Sequence, residues 1–318
     1  MKESSKIDKR IVLAHIAMFF VAFFYASNYT IAKPVMEGDG ITPYVTPFGF
    51  IMLRITAATI LFWFAQLFVQ SETIDRGDWG RFLACAVCGV AANQLSFFHG
   101  LKMTTPINGA LIMLTTPIMV LIISSIVFKE RLTAFKLTGI SLGLVGAFFL
   151  IYSNKEAIQS ASNPALGNIF VAINATFYAG YLVMVKPLMT KYSPVNVLKW
   201  LFLIGFFIAL PFGATDALAI DWQTLPTPII WSIGYVLFFV TFMTFILNGL
   251  ALKVVKPSVN STYIYLQPLL TTGIAIAVGA DQLSWQLFVA GGLIFAGLYL
   301  VAKQKNVSPD NTGETISK

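Results

Sequence analysis

The sequence predicts an all-α integral membrane protein with ten transmembrane helices, arranged as two inverted five-helix repeats (5+5). Composition is the first reason: 57% of the residues are hydrophobic, 11% are charged and the mean hydropathy is +0.77, whereas soluble domains carry about 25% charged residues. The second is a series of apolar runs of about 20 residues, the length that crosses the hydrocarbon core as a helix. The third is an internal repeat.

The predicted spans follow one another through short connections. The stretch 154–164 is longer and polar, and we interpret it as the linker between a first repeat, 11–153, and a second repeat, 165–303. Residues 1–10 and 304–318 are then the N-terminal and C-terminal tails. The ten predicted spans are 11–32, 47–69, 80–101, 105–127, 134–153, 165–185, 195–214, 228–250, 257–278 and 285–302.

The repeat relates Leu101–Tyr152 to the residues that lie 151 positions later. It places Lys102 on Lys253 and Pro117 on Pro268, with an acidic residue at the same position further along each copy. A single match of this kind means little, because apolar helices resemble one another by composition. The constant spacing of prolines, lysine and acidic residue over about fifty positions indicates a duplication.

The N-terminal parts of the two halves match more weakly in sequence. YASNYTIAKP at 25–34 and YAGYLVMVKP at 178–187 share Tyr-Ala and Lys-Pro at equal spacing, with an offset of 153. Because each half holds an odd number of predicted helices, the second copy must enter the membrane from the side opposite to the first. The repeat is therefore expected to be inverted.

Basic residues agree with this topology. With the N-terminus in the cytoplasm, all of the 21 Lys and Arg residues fall in cytoplasmic segments except Lys33, Lys102, Lys155 and Arg54. Such a bias is the positive-inside rule, and it predicts that both termini are cytoplasmic. Orientation also accounts for the net charge of +7, so no nucleic-acid partner is expected.

Four stretches of the chain carry a family pattern. They are FYASNYTIAK in the first span, FIMLRITAATILF around Arg54, LTTPIMVLIISSIVFKERL in the fourth span and YLQPLLTTGIAIAVGADQL in the ninth. Together they resemble the EamA group of the drug/metabolite transporter superfamily, over about residues 11–303. The resemblance implies ten helices, secondary transport, often export of amino acids or other small metabolites, and a central cavity between the repeats.

The resulting hypothesis is a multi-pass exporter of a bacterial inner, or plasma, membrane. A small-molecule substrate and the lipid bilayer are its expected partners, and a monomer or weak homodimer its expected assembly. One alternative is a nucleotide-sugar or sugar-phosphate exchanger of the same superfamily. Another is an intramembrane lipid-modifying enzyme, but such chemistry needs clusters of His, Asp or Glu, and His15 and His99 lie far apart. We therefore expect a protein that is not an enzyme.

Polar side chains recur at helical spacing in both halves, and transporters built from inverted repeats bind substrate near the midplane between the repeats. Asn174, Tyr178 and Tyr181, for example, are spaced i, i+4, i+7 and share a face. The competing interpretation is hydrogen bonding between helices, worth about 0.6 to 2 kcal/mol each. The candidate substrate-binding residues are Tyr25, Asn28, Asn93, Gln94, Thr116, Asn174, Tyr178, Tyr181, Thr244, Asn248, Tyr263 and Gln267.

Three further residues stand out within the spans. Pro117 and Pro268 occupy equivalent places in the two repeats and are candidate hinge or gate residues, or else tolerated bends. Arg54 is a charge inside a predicted span, which makes it a functional candidate by default. It could hold a substrate carboxylate, cap carbonyl groups of a neighbouring helix, or extend to the interface.

The sequence predicts no cofactor and no metal site. Cys85 and Cys88 form a C-x-x-C pair inside an apolar run, without a His or a second pair nearby, so we interpret them as small packing residues. No Asp or Glu falls inside a predicted span. A proton relay of membrane carboxylates is therefore not indicated, and facilitated diffusion or exchange is the favoured hypothesis.

Overall fold

The computed structural model describes residues 2–38, 43–104, 109, 112–129, 132–153, 163–277, 279 and 285–302, and within those ranges the regular structure is entirely helical. The helices of the first half are α1 Lys2–Glu37, α2 Pro47–Gln66, α3 Trp79–Ala86, α4 Ala92–Met103, α5 Thr116–Val127 and α6 Ala134–Ser153. Those of the second half are α7 Pro164–Lys191, α8 Pro194–Leu218, α9 Thr227–Tyr235, α10 Thr244–Val254, α11 Pro257–Thr262, α12 Leu266–Ala277 and α13 Trp285–Ala302.

Within the described residues, six helical stretches are long and apolar enough to cross a membrane. They are Lys9–Asn28, Pro47–Gln66, Ala165–Lys191, Pro194–Leu218, Thr227–Val254 and Trp285–Ala302. Two shorter apolar helices, Thr116–Val127 and Ala134–Phe149, accompany them. Leu13, Trp231 and Phe288 are among the large apolar side chains that lie exposed on the outer faces. Apolar side chains facing outward are what a helix in contact with lipid requires.

Irregular turns interrupt the helices at equivalent places. The π-helical segment Val87–Ala91 joins α3 to α4, and a second π-helical segment, Val236–Met243, joins α9 to α10. The repeat offset of 151 carries residues 87–91 onto 238–242, inside the second segment. The two halves therefore share a backbone irregularity as well as a sequence pattern, and π segments are frequent at functional sites.

Helices α6 and α13, which the repeat equates, run antiparallel at very close range. A Cβ atom added at Gly297 would lie 2.5 Å from the carbonyl oxygen of Gly139, and one added at Gly146 would lie 3.0 Å from the carbonyl oxygen of Ala290. As the residue number rises along α6, that of its contact on α13 falls. The repeat equates Gly139 with Ala290 and Gly146 with Gly297, so the two contacts are symmetric copies of each other.

Helices α2 and α8 also pack antiparallel. Gly49 faces the backbone of Asp216, and Gly213 faces the Phe48 carbonyl and Met52. At this end the Thr46 hydroxyl donates a hydrogen bond to Asp216 Oδ2 at 2.7 Å. Towards the other end of the pair, the rings of Phe62 and Phe202 lie 5.1 Å apart. The helices of the two halves are thus interleaved, not stacked as separate bundles.

The ends of the predicted repeats differ in how far the structure describes them. Helix α1 begins at Lys2, so the described part of the predicted N-terminal tail continues the first helix. Helix α7 begins at Pro164, where the side chain of Asn163 accepts a hydrogen bond from the Leu166 amide. Most of the predicted linker and the whole predicted C-terminal tail lie outside the described residues.

The glycine contact between α6 and α13 is directly testable. Gly297→Ala places a methyl group against the Gly139 carbonyl, so we expect overpacking that costs about 1–3 kcal/mol and a lower thermal midpoint in detergent. Gly292→Ala on the same helix is the matched control, because nothing lies within 4 Å of its added Cβ. Equal midpoints for the two variants would contradict the close approach of these helices.

Candidate functional site

A cavity of about 160 Å³ lies among the helices. Its wall is formed by α1, α2, the first π segment, α4, the residues before α5, α7, α10, the turn before α12 and α12 itself. Polar amides, tyrosines and one arginine share this wall with apolar and aromatic side chains. The lining residues are Tyr25, Asn28, Arg54, Gly89, Asn93, Gln94, Phe97, Met113, Asn174, Tyr178, Phe245, Ile264 and Gln267.

Residues that the repeat equates face this cavity from both halves. The offset of 151 pairs Met113 with Ile264, and both line it. Gln94 and Phe245 form a second such pair, and Tyr25 and Tyr178 a third at the offset of 153. The cavity therefore lies where the two repeats meet.

Arg54 is the charged group of the described cavity wall. It is only 9% exposed, and its Nε donates a hydrogen bond to Thr241 Oγ1 at 3.0 Å. Thr241 in turn donates to the Val236 carbonyl, which belongs to the second π segment. Among the described residues no ion pair joins Arg54 to a carboxylate. A buried guanidinium in this position favours a ligand that carries negative charge.

Buried amide side chains of Asn and Gln lie on the cavity wall together with the Arg54 guanidinium. Asn174 Nδ2 donates to the Asn93 carbonyl at 2.6 Å, and Gln94 Nε2 donates to the Val90 carbonyl at 3.2 Å. These contacts assign the nitrogens, since a flipped amide would oppose two oxygens. Within the described part of the chain, Asn28 Oδ1, Gln94 Oε1 and Asn174 Oδ1 are buried without a hydrogen-bond partner. Leaving such an acceptor unpaired costs about 1–3 kcal/mol, so a ligand or water with donor groups is favoured here.

A second, much smaller pocket of about 10 Å³ adjoins the cavity and shares Tyr25, Tyr178, Ile264 and Gln267 with it. Its remaining lining residues are Met18, Val21, Ala22, Asn248, Asn260 and Tyr263. Asn260 Nδ2 donates to Asn248 Oδ1 at 3.0 Å across it. The small pocket extends the polar wall along α1 away from Arg54.

Three candidate substrate-binding residues lie outside both pockets. Thr116 is fully buried at the start of α5, and Thr244 donates its hydroxyl to the Val240 carbonyl at 2.5 Å. Tyr181 packs against Gly89, where an added Cβ would lie 2.3 Å from its ring. A shared helical face thus brings Tyr178 to the cavity and places Tyr181 behind its wall.

The two candidate hinge residues do not sit in the middle of unbroken helices. Pro117 lies in the first turn of α5, and Pro268 lies in the first turn of α12, after the 3-10 turn Tyr263–Tyr265. A proline is tolerated in a first turn because its missing N–H would be unpaired there in any case. The backbone breaks therefore precede the prolines.

The apolar part of the wall was not predicted. Phe97, Met113, Phe245 and Ile264 look like ordinary core residues, and only their polar neighbours indicated a site. For Phe245 the repeat carried a signal, because it equates this residue with the candidate Gln94, which lines the cavity as well. Position 89 must be a glycine because the Tyr181 ring packs against it, and no local sequence pattern indicates this contact.

A polar cluster, here called the latch, joins the connection before α3 to the connection between α7 and α8. Lys191 Nζ donates to Asp78 Oδ2 at 2.6 Å and also contacts Asp75. The Tyr192 hydroxyl donates to Asp78 Oδ2 at 2.7 Å. Asp78 is 15% exposed and Lys191 is 46% exposed. The latch lies at the end of α2 opposite to Thr46.

Apolar helices that enclose a small polar cavity define a membrane protein that handles a small solute. The cysteines Cys85 and Cys88 are free, and the described ranges contain no group of His, Cys, Asp and Glu able to hold a metal ion. The cavity wall supplies binding groups, and within the described chain it has no nucleophile and base held together.

Comparison with known proteins identifies the class more closely. The chain belongs to the EamA-like transporter family of the drug/metabolite transporter superfamily, whose model matches residues 12–152 and again 165–303. It is 22% identical to the uncharacterized transporter YyaM of Bacillus subtilis, over 96% of both chains. It is 23% identical to an uncharacterized transporter of Archaeoglobus fulgidus, over 94% of this chain and all of that one.

More distant similarity extends to plants and to a solved structure. The protein WALLS ARE THIN 1 of Arabidopsis thaliana is 24% identical over 92% of this chain and 83% of its own length. A chain of known crystal structure aligns with a TM-score of 0.73 and 17% identity, over 90% of this chain and 95% of that chain. That likeness concerns the fold. Since the family is one of transporters and the relatives from Bacillus subtilis and Archaeoglobus fulgidus are named as transporters, the protein is a membrane transporter and not an enzyme.

The latch predicts acid sensitivity. Hydrogen bonds from Lys191 and then Tyr192 lower the pKa of Asp78 below its ordinary value of 3.8. A lowered folded pKa stabilises the fold above the ordinary value, and this stabilisation is lost as pH falls through the folded pKa. We expect the thermal midpoint in detergent to fall as pH drops below about 4, and to fall less in Asp78→Asn.

Lys191→Met is the companion variant, because it keeps an apolar stem and removes the charge. If the latch acts as one unit, Asp78→Asn combined with Lys191→Met lowers the midpoint at neutral pH by less than the sum of the single effects. Additive effects of the two substitutions would contradict a coupled latch.

Proposed function

We propose that the protein is a plasma-membrane exporter of amino acids or related small metabolites, with ten helices in two inverted repeats, 11–153 and 165–303, and both termini in the cytoplasm. The observation that carries this proposal is the cavity wall, where residues equated by the repeat face one space. A cavity on the axis between two antiparallel halves can open to either side when the halves exchange conformations.

The antiparallel contacts support the inverted arrangement. The fifth and tenth predicted spans correspond to α6 and α13, and these helices contact each other through symmetric glycines. The second and seventh correspond to α2 and α8, which are antiparallel as well. Helices related by an inverted repeat must run in opposite directions, and both pairs do.

The cavity chemistry favours a small zwitterion. Arg54 supplies a cation for a carboxylate, and amide side chains of the wall such as Asn93 and Gln267 supply oxygen acceptors for an ammonium group. Apolar and aromatic residues on the remaining wall suit a hydrocarbon side chain. The volume of about 160 Å³ is below the range of about 300–1,000 Å³ typical of sites for drug-sized ligands, which disfavours a nucleotide sugar.

The latch and the Thr46–Asp216 contact close opposite ends of this arrangement. In the proposed topology the latch lies on the cytoplasmic side, because basic residues such as Arg76, Arg81 and Lys191 lie in or next to the connections before α3 and after α7. The helix breaks beside the cavity are suitable hinge points between a fixed part and a moving part of each repeat.

Transport itself is the first test. Purified protein in proteoliposomes should take up radiolabelled apolar amino acids above the level of empty liposomes, and unlabelled amino acids should compete. Nucleotide sugars and sugar phosphates form the second arm of the same competition screen. Competition by those compounds alone would contradict the proposed substrate class, and no specific uptake in either arm would contradict the proposed function.

Cavity variants test the assignment of roles. Loss of a charge-assisted hydrogen bond costs about 1.5–3 kcal/mol, so Arg54→Gln should raise the apparent KM for an amino acid by roughly tenfold to a hundredfold, and Arg54→Lys should raise it less. Asn28→Ala and Gln267→Ala should also reduce uptake. Thr59→Ala is the matched control, because Thr59 lies on the same helix as Arg54 and donates its hydroxyl to the Ile55 carbonyl of that helix.

Each variant is first checked for a monodisperse gel-filtration profile, so that misfolding is not taken for lost binding. Wild-type uptake in both Asn28→Ala and Gln267→Ala would remove these side chains from the substrate site.

A further inference from the structure

We infer that His15 is the proton-binding group of this transporter and that it couples transport to a pH gradient through Tyr263. This inference rests on the proposed transport path and adds the coupling ion to it. The sequence favoured facilitated diffusion or exchange because it places no carboxylate inside a span. The structure supplies a different titratable group beside the path.

The contact joins two helical segments of opposite halves. His15 is half-buried on α1, and its Nδ1 lies 2.7 Å from the Tyr263 hydroxyl. The two rings are 6.0 Å apart and tilted. Tyr263 opens the 3-10 turn that separates α11 from α12. The bond therefore ends on a backbone irregularity, where small rearrangements are easier than in a regular helix.

Tyr263 also faces the small pocket, which connects it to the cavity. That pocket, of about 10 Å³, is close to the space of one water molecule. Asn260 donates to Asn248 on its wall, and Tyr178 interacts with both Asn248 and Tyr25. A series of polar groups thus leads from the imidazole to the tyrosines of the substrate cavity.

Protonation of His15 reverses the direction of the first bond. With a neutral ring whose Nδ1 is unprotonated, the Tyr263 hydroxyl donates to Nδ1 and offers the pocket only a lone pair. With a charged ring, Nδ1 donates to the Tyr263 oxygen, and the hydroxyl proton becomes free to turn toward the pocket. The polar series beside the substrate therefore differs between the two protonation states of one residue.

Among the described groups in this region, the His15 imidazole is suited to bind and release a proton near neutral pH. On the elements packed against this part of α1, the described titratable or charged groups are Lys253 of α10, Lys256 before α11, and Tyr263 and Tyr265 of the 3-10 turn. Lys9 and Arg10 lie at the start of the same span. Lysine, arginine and tyrosine keep their charge state through neutral pH, whereas an imidazole changes charge there. No described carboxylate lies on those packing elements.

His99 provides a control for substitution of His15. His99, the other histidine of the sequence, packs edge-on against Phe170 with ring centroids 4.8 Å apart and is absent from the lining of both pockets. His99→Gln therefore removes an imidazole from α4 without touching the polar series that leads to Tyr263.

The test is accumulation of solute against its gradient. Full-length protein in proteoliposomes with clamped membrane potential receives a radiolabelled mixture of the protein amino acids, under pH gradients of about one unit in either direction. One proton per solute can then sustain up to about a tenfold concentration ratio. We expect wild type and His99→Gln to accumulate label under one gradient and to exclude it under the other.

His15→Gln keeps a hydrogen-bonding side chain but cannot titrate near neutral pH. We expect it to equilibrate the label to a ratio near one under both gradients, and Tyr263→Phe to reduce the ratio in the same way. Should His15→Gln fail to give monodisperse protein, Tyr263→Phe carries the test. Each variant is compared at equal amounts of reconstituted protein.

The outcomes separate this inference from the proposed function. Specific wild-type uptake with a ratio near one under both gradients leaves transport intact and overturns proton coupling. Accumulation by His15→Gln equal to that of wild type overturns the role of His15. Absence of specific uptake by wild type overturns the proposed transport of amino acids, on which the inference depends.

Discussion

The fold depends on one constraint, which is that a polar group inside a bilayer has no water to bond and must find a partner within the protein. Regular helices meet it for most of the described backbone, and the irregular segments meet it with side chains. Gln94 donates to the Val90 carbonyl of the first π segment, and Thr241 donates to the Val236 carbonyl of the second. Because Arg54 donates to that same Thr241, the helix breaks, the polar side chains and the cavity form one connected unit.

The repeat explains where the cavity lies, and the departures from the repeat explain what it can bind. Residues such as Met113 and Ile264 occupy equivalent places on the cavity wall. The titratable contact has no counterpart: the offset of 153 equates His15 with Asn168, which instead accepts a hydrogen bond from the Thr104 hydroxyl at 2.5 Å. The proposed proton-binding contact therefore lies at positions where the two halves differ.

Sequence reasoning located several of the described helices, because apolar length is a strong signal. The predicted spans 134–153 and 285–302 coincide with α6 and α13. The π segments could not be predicted, since their residues are as apolar as those of a regular helix. For the site, helical spacing brought Tyr178 to the cavity but could not tell that Tyr181, three residues later, would fill the space left by Gly89. Which side of a polar stripe faces a cavity depends on contacts distant in sequence.

Contacts that differ between the two halves also determine which conformation a protein built from two similar repeats adopts. Two states that differ only by exchange of equivalent halves have nearly equal energy, so an interaction present in one state and absent in the other determines their populations. About 1.4 kcal/mol of such a difference changes their ratio tenfold. The latch at Asp78 and Lys191 is ionic, whereas the opposite end holds the Thr46–Asp216 hydrogen bond beside an apolar cluster that includes Val35 and Ile229. Since the contacts at the two ends differ in chemistry, a change of pH can act on one end without acting equally on the other.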